Sequence, residues 1–173
     1  GAASARAGNV IGGGDWAVDR IIPDCIRAIE SGKSIRLRNP SATRPWQHVL
    51  EPLSGYLLLA ARLWDQPLVH KGAWNFGPPS KEVRTVLEVA ERLVAGYGKG
   101  SINSKENEKK YHEAQLLQLN CDRAHQVLGW YPRWDFERTL DMTTDWYKQA
   151  HTNAEAENIS RQQLYDYFPE IDR

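Results

Sequence analysis

Along the chain, short strand-like runs alternate with helical stripes. Residues 4–11 form a β-rich run that leads into Gly12-Gly13-Gly14, where the backbone can take angles that a Cβ forbids. Over 19–31, Ile22, Cys25, Ile26 and Ile29 recur at helical spacing, with Pro23 tolerable in the first turn and Gly32 closing the end. Ile35 and Leu37 alternate through a strand at 34–38, and Asn39-Pro40-Ser41 turns the chain. A second helix is predicted over 52–64, with Pro52 in its first turn and a core face of Leu53, Tyr56, Leu57, Ala60, Leu63 and Trp64. Residues 72–77 read as a strand that ends in a Gly-Pro-Pro turn.

In the second half, Thr85-x-x-Glu88 is a capping box, because hydroxyl and carboxylate each satisfy an orphan amide of the other residue. It opens an amphipathic helix through Leu87, Ala90, Leu93 and Val94. Residues 99–110 are polar without periodicity and read as a surface loop, and 116–119 as a strand. Asp122 is expected to cap a short helix over 123–128 stopped by Gly129, and Asp135 to cap the last core helix, 136–150. The tail from 151 is polar, then amphipathic at Ile159, Leu164, Tyr165 and Phe168, which suggests a docking helix. Helices and strands alternate without an internal repeat, so the class is α/β or α+β. A strand among the first residues, with no element before it to pair with, is expected to be a late strand of a larger sheet.

Composition narrows the function classes. A length of 173 residues suits one domain or less than one complete enzyme. Lys plus Arg total 22 and Asp plus Glu total 22, so counterion release has no global source and a nucleic-acid wrapper is not expected. Cys25 and Cys121 form no C-x-x-C and sit at no metal spacing, which argues against a disulfide scaffold and a zinc site, and for a cytoplasmic protein. No apolar run is long enough to span a membrane, and the first residues lack signal-peptide regions. Seven Trp and seven Tyr suit either a ligand groove or a well-filled core.

The glycine run admits three readings. Gly12-Gly13-Gly14-Asp15-Trp16-Ala17 fits G-x-G-x-x-A, the dinucleotide fingerprint, yet Asp15 sets a carboxylate among the amides and the periodic helix starts only after Asp19. The strand that follows also lacks a closing acidic residue for a ribose. A flexible turn and a ligand-lining loop of another kind remain beside it. His48 and Glu51, three apart, suggest either acid–base work or helix-start hydrogen bonding. Trp16 could stack on a ligand or be buried, Trp46 reads as core, and Cys25 as a buried, inert thiol.

The run from Arg6 to Pro23, containing Arg6-x-x-Asn9-x-x-Gly12, resembles a segment of the extended short-chain dehydrogenase/reductase family. Later pieces agree in order: Arg36-Leu37-Arg38-Asn39-Pro40, Arg44-Pro45-Trp46-Gln47-His48-Val49, Trp74-Asn75-Phe76-Gly77-Pro78, His112-Glu113 and Leu128-Gly129-Trp130. The Gly-Gly-Gly-Asp-Trp-Ala run makes the chain most similar to the family's 4,6-dehydratases that act on CDP-glucose. The resemblance implies the C-terminal, substrate-binding portion of an NAD-dependent lyase. Residues 1–18 would end the Rossmann sheet, 19–150 would bind the nucleotide sugar, and 151–173 would form the tail. The family's cofactor loop and Tyr-x-x-x-Lys pair precede the matched segment, and no Tyr here is followed four residues later by Lys. A full-length enzyme would be a homodimer or higher and use NAD held mostly by the cofactor domain. A related epimerase, a related decarboxylase and a non-catalytic nucleotide-sugar module remain as alternatives.

The resemblance also assigns substrate contacts. Arg44 matches the family's diphosphate-binding Arg, whose planar fork suits phosphate oxygens. Asn9 and Asn75 match Asn residues at the diphosphate or sugar. Arg20, Ile21 and Ile22 match the segment lining the nucleotide, His112 a His near the ribose and phosphates, and Lys109 an Arg upstream of it. Arg36 and Arg38 share one strand face, where related dehydratases carry uncharged residues, so their role stays open.

Overall fold

A computed structural model describes residues 1–79, 82–103 and 119–170. The run expected as one strand at 4–11 is two, β1 (Ala3–Ala7) and β2 (Asn9–Ile11). The chain changes partner at Gly8: β1 pairs in parallel with a strand at Gly72–Phe76, whereas β2 pairs in parallel with one at Trp46–His48. Gly8 N–H reaches the Phe76 carbonyl (3.3 Å) and Asn9 N–H the Pro45 carbonyl (3.1 Å), so the backbone stays paired through the switch. In chain order the remaining strands are β3 (Ile35–Arg36), β4 (Thr43–Arg44), β5 (Trp46–His48), β6 (Gly72–Phe76), β7 (Arg84–Thr85) and β8 (Ile102–Asn103). β4 pairs antiparallel with β7, and β3 in parallel with β8. The polar stretch read as a loop over 99–110 therefore contains a strand, too short for an alternation to register.

The first helix, α1 (Ile21–Glu30), buries the expected Ile22, Cys25, Ile26 and Ile29. They pack with Ile35, Leu37, Trp46, residues of α4 (Val86–Tyr97) and residues of α5 (Phe136–Gln149) into the larger core cluster. Two of the three expected side-chain caps form as read. Glu88 N–H donates to the Thr85 hydroxyl (3.1 Å) while Thr85 N–H donates to the Glu88 carboxylate (2.6 Å), and Arg138 N–H donates to Asp135 (2.8 Å).

The second helix, α2 (Leu50–Asp65), corrects the expected stripe. Its buried residues are Glu51, Pro52, Gly55 and Leu59, whereas Leu53, Leu57 and Trp64 are exposed, Trp64 at 88%. This helix is apolar on most of its circumference, so period alone cannot pick a face. The face is set by Gly55, where a Cβ would lie 2.3 Å from the Phe76 ring, letting the helix close on β6. Leu59, Trp74, Phe76, Ala124, Leu128 and Trp130 form the second core cluster beneath it.

After the single turn α3 (Pro67–His70), Arg123 stacks on Trp74 (4.0 Å) and donates to the Ala73 and Lys71 carbonyls. The segment expected as a helix capped by Asp122 is a π turn, Ala124–Leu128, without a side-chain cap. Asp122 instead exchanges two 3.0 Å hydrogen bonds with Asn120, and Gly129 closes the turn at φ 71°. Most of the strand expected over 116–119 lies outside the described residues. The tail helix α6 (Asn153–Tyr167) does dock: the expected Ile159 packs on the larger core and Gln163 and Tyr167 are buried, while Leu164 faces solvent.

Candidate functional site

One cleft of about 780 Å³ lies between β2, the start of α1, the segment 35–39 and β4. It gathers Asn9, Arg20, Ile21, Ile22 and Arg44, all selected from the sequence. Parallel pairing with β5 places Asn9 on the cleft, and the turn out of the glycine run delivers Arg20 just ahead of α1. Arg44 is half-buried on β4, its guanidinium donating to the Thr43 carbonyl (2.8 Å), opposite Arg84 in the antiparallel ladder. The like charges opposed there are moderated because Arg84 lies 3.8 Å from Glu82 and 3.9 Å from Glu88.

Four arginines and three aspartates line the cleft. Asp19 is engaged with Arg38, and Asp24 with Arg27, whereas no ion pair engages Arg20 or Arg36 among the described residues. The wall thus keeps cationic capacity for an anion while its floor, with Ile11, Ile22 and Val10, is apolar. Arg36 and Arg38 line the same wall because Ile35 and Leu37 point into the core.

Asn75 is not brought to this cleft. Its amide donates to the Asn120 carbonyl (2.9 Å), and its buried Oδ1 has no protein partner among the described residues. Lys109 and His112 lie outside the described residues. Trp16 is neither buried nor on the cleft; it is half-exposed and meets the Tyr147 ring edge-on at 5.1 Å. Trp46 and Cys25 are buried as read, and burial beside Asp24 pushes the Cys25 thiol up to about 12.

His48 and Glu51 serve separate structural ends, and neither lines the cleft. The His48 ring accepts the Leu50 N–H (3.3 Å) at the start of α2 and leans on Trp134 at 4.8 Å. Glu51 is fully buried; it accepts from Trp134 N–H (2.7 Å), Arg133 N–H (3.1 Å) and the Tyr167 hydroxyl (2.6 Å). Burial raises its carboxyl above the ordinary value, and those donors together with the Arg133 charge work against the rise. Glu51 is thus a brace between α2, the segment after Gly129 and α6.

The glycine run does not fit a dinucleotide. A Cβ on Gly13 would lie 2.0 Å from the Trp146 ring and one on Gly12 2.9 Å from Val49, so these positions press on protein rather than cradle a ligand. The helix that could aim its amides at a pyrophosphate starts only at Ile21. Gly12, Gly13 and Asp15 still border the cleft, in keeping with a lining loop. Sequence reasoning passed over Asp19, which lines the cleft at φ 64°; its one signal was that Asp accepts left-handed backbone more readily than most residues.

The fold is that of the matching part of solved extended short-chain dehydrogenase/reductase dehydratases and epimerases. The chain superposes on dTDP-glucose 4,6-dehydratase from Streptomyces venezuelae, solved with NAD and TYD, at a TM-score of 0.71 and 19% identity, over 86% of this chain and 44% of that one. UDP-glucose-4-epimerase from Stenotrophomonas maltophila, solved with NAD and formylated UDP-arabinopyranose, superposes at 0.71 and 16% identity, over 84% of this chain and 47% of that one. In sequence, the chain is 42% identical over 168 residues to CDP-glucose 4,6-dehydratase of Salmonella typhimurium, covering 97% of this chain and 47% of that protein. It therefore spans about half the length of the curated relative it matches. No protein-family model matches it. Among the described residues no helix is long and apolar enough to cross a membrane, and no cluster of metal-ligating side chains occurs.

Proposed function

We propose that the chain is the nucleotide-sugar-binding portion of an NAD-dependent 4,6-dehydratase that converts CDP-glucose to CDP-4-keto-6-deoxyglucose in deoxysugar synthesis. The carrying observation is that Asn9, Arg20, Ile21, Ile22 and Arg44 share one cleft. The likeness to CDP-glucose 4,6-dehydratase along nearly the whole chain supports the same reading. A nucleoside diphosphate brings about two negative charges, which suit the forked donors of Arg44 and Arg20. The Asn9 amide supplies a further donor, and Ile21 and Ile22 offer an apolar face to the nucleoside.

Lys109 and His112 join this reading as ribose and phosphate ligands on the strength of the resemblance alone. Asn75, tied to Asn120, stays outside the proposed contact set. NAD belongs to the whole enzyme; the glycine run here does not hold it, and hydride transfer rests with residues matching the half of the relative that this chain does not span. On this reading the complete enzyme is a cytoplasmic homodimer or higher oligomer, in which residues 1–18 finish the cofactor sheet, 19–150 bind substrate and 151–173 brace the fold. The docking of α6 through Tyr167 on Glu51 supports the last assignment.

Calorimetric titration with CDP, UDP, TDP, GDP and NAD tests the reading. Binding of CDP without binding of NAD is expected. Arg44→Ala is expected to weaken CDP by about 1.5–3 kcal/mol, the usual range for hydrogen bonds to a charged group. Silence toward every nucleoside diphosphate, or an affinity indifferent to Arg44→Ala, overturns it.

A further inference from the structure

One wall of the cleft carries an ion pair that diphosphate binding does not use. Asp19 and Arg38 both line the cleft, joined through the Arg38 guanidinium and Asp19 Oδ1, with side chains 65% and 64% exposed. Asp19 is the single non-glycine residue with positive φ among the described residues. The loop before it is fastened independently of the pair: the Tyr147 hydroxyl donates to the Asp15 carbonyl (2.6 Å), and Arg27 donates to the carbonyls of Trp16 (3.0 Å) and Ala17 (3.2 Å). Arg38 is aimed at the cleft from the other side, because Leu37 before it is buried. The two charged groups are therefore delivered to one place by two separately anchored segments, and their outer edges stay open to a ligand.

We infer that Asp19 and Arg38 together read the base of the bound nucleotide and select cytosine. This inference rests on the nucleoside diphosphate reading above. A carboxylate beside a guanidinium presents an acceptor next to a row of donors. Cytosine carries the complement, since its 4-amino group donates while N3 and O2 accept; a carboxylate accepting from that amino group is a known base-reading contact. Uracil and thymine reverse the first two positions. Their O4 would set a lone pair against the Asp19 carboxylate, and their N3–H would meet the Arg38 donors. A pair of this kind thus attracts one pyrimidine and repels the others.

Equilibrium titration of the intact protein with CDP, UDP and TDP decides the matter. The unaltered protein is expected to favour CDP by about tenfold or more. In Asp19→Asn the residue still tolerates positive φ, and its amide can turn either its oxygen or its amino group to the base, so the CDP-to-UDP ratio is expected to collapse to within about threefold. Asp19→Gly, which removes the carboxylate and relaxes the backbone, is expected to give the same loss of preference and guards against a folding defect in the first variant. A CDP preference that survives both substitutions overturns the inference. An equal loss of affinity for all three nucleotides also overturns it, because the pair would then only hold the wall. If the unaltered protein binds all three alike, base selection fails while nucleoside diphosphate binding stands; if it binds none, both fail.

Discussion

Burial lowers the His48 imidazole to about 4, since a charged ring there would give up its water and its Nε2 has no protein partner among the described residues. In the unfolded chain the same ring takes up its proton near its ordinary value of 6.5. Between those values the unfolded state binds more protons, so stability falls as the pH is lowered from about 6.5 toward 4, by up to about 3 kcal/mol. Glu51 works in the opposite sense, because its raised carboxyl favours the folded state as protons are added. Urea denaturation at pH 7 and pH 5 should show a lower midpoint at pH 5, and His48→Phe should flatten the difference; an unchanged slope in that variant removes His48 from the acid response. The sequence displayed the three-residue spacing of His48 and Glu51, and the reading of helix-start bonding held for His48. The partners of Glu51 were not legible, since Arg133, Trp134 and Tyr167 reach it across long stretches of chain. The place of Arg44 and Asn9 on the cleft was legible because each stands in a short ordered string whose neighbours constrain it.

Several features that depend only on neighbours in sequence were read correctly, although the Asp122 cap was not. The Thr85–Glu88 and Asp135 caps involve residues three apart, and the apolar face of α1 repeats at a period the helix itself dictates. The glycine run shows the converse. Its composition allows a cofactor loop, yet Gly13 is required for close approach to the Trp146 ring, a residue of α5. Gly13→Ala should therefore cost about 1–3 kcal/mol by overpacking. The thermal midpoint checks it, and an unshifted midpoint would show that Trp146 can move aside. The face of α2 was misread for the same reason, because the contact between Gly55 and Phe76 is a property of two elements and not of one.

The whole molecule leaves an apolar surface uncovered: Leu53, Leu57 and Trp64 on α2 and Leu68 and Val69 beyond it are exposed, and β1 pairs only with β6 among the described strands. Exposed apolar patches and open strand edges both favour association. Light scattering should show concentration-dependent self-association, reduced by the double change Leu57→Lys and Trp64→Lys; a monodisperse monomer for the unaltered protein would refute this. The residue pattern was sufficient for α1, α4, α5 and their ends, and the ordered strings were sufficient for the fold class and for five residues that share the cleft, because those properties are carried by local spacing. Folding alone decided that the run at 4–11 divides at Gly8, which side of α2 is buried, that Asn75 leaves the cleft and that Asp19 joins Arg38 within it. Each of those outcomes depends on atoms far apart in sequence competing for the same space, and a local pattern carries no term for that competition.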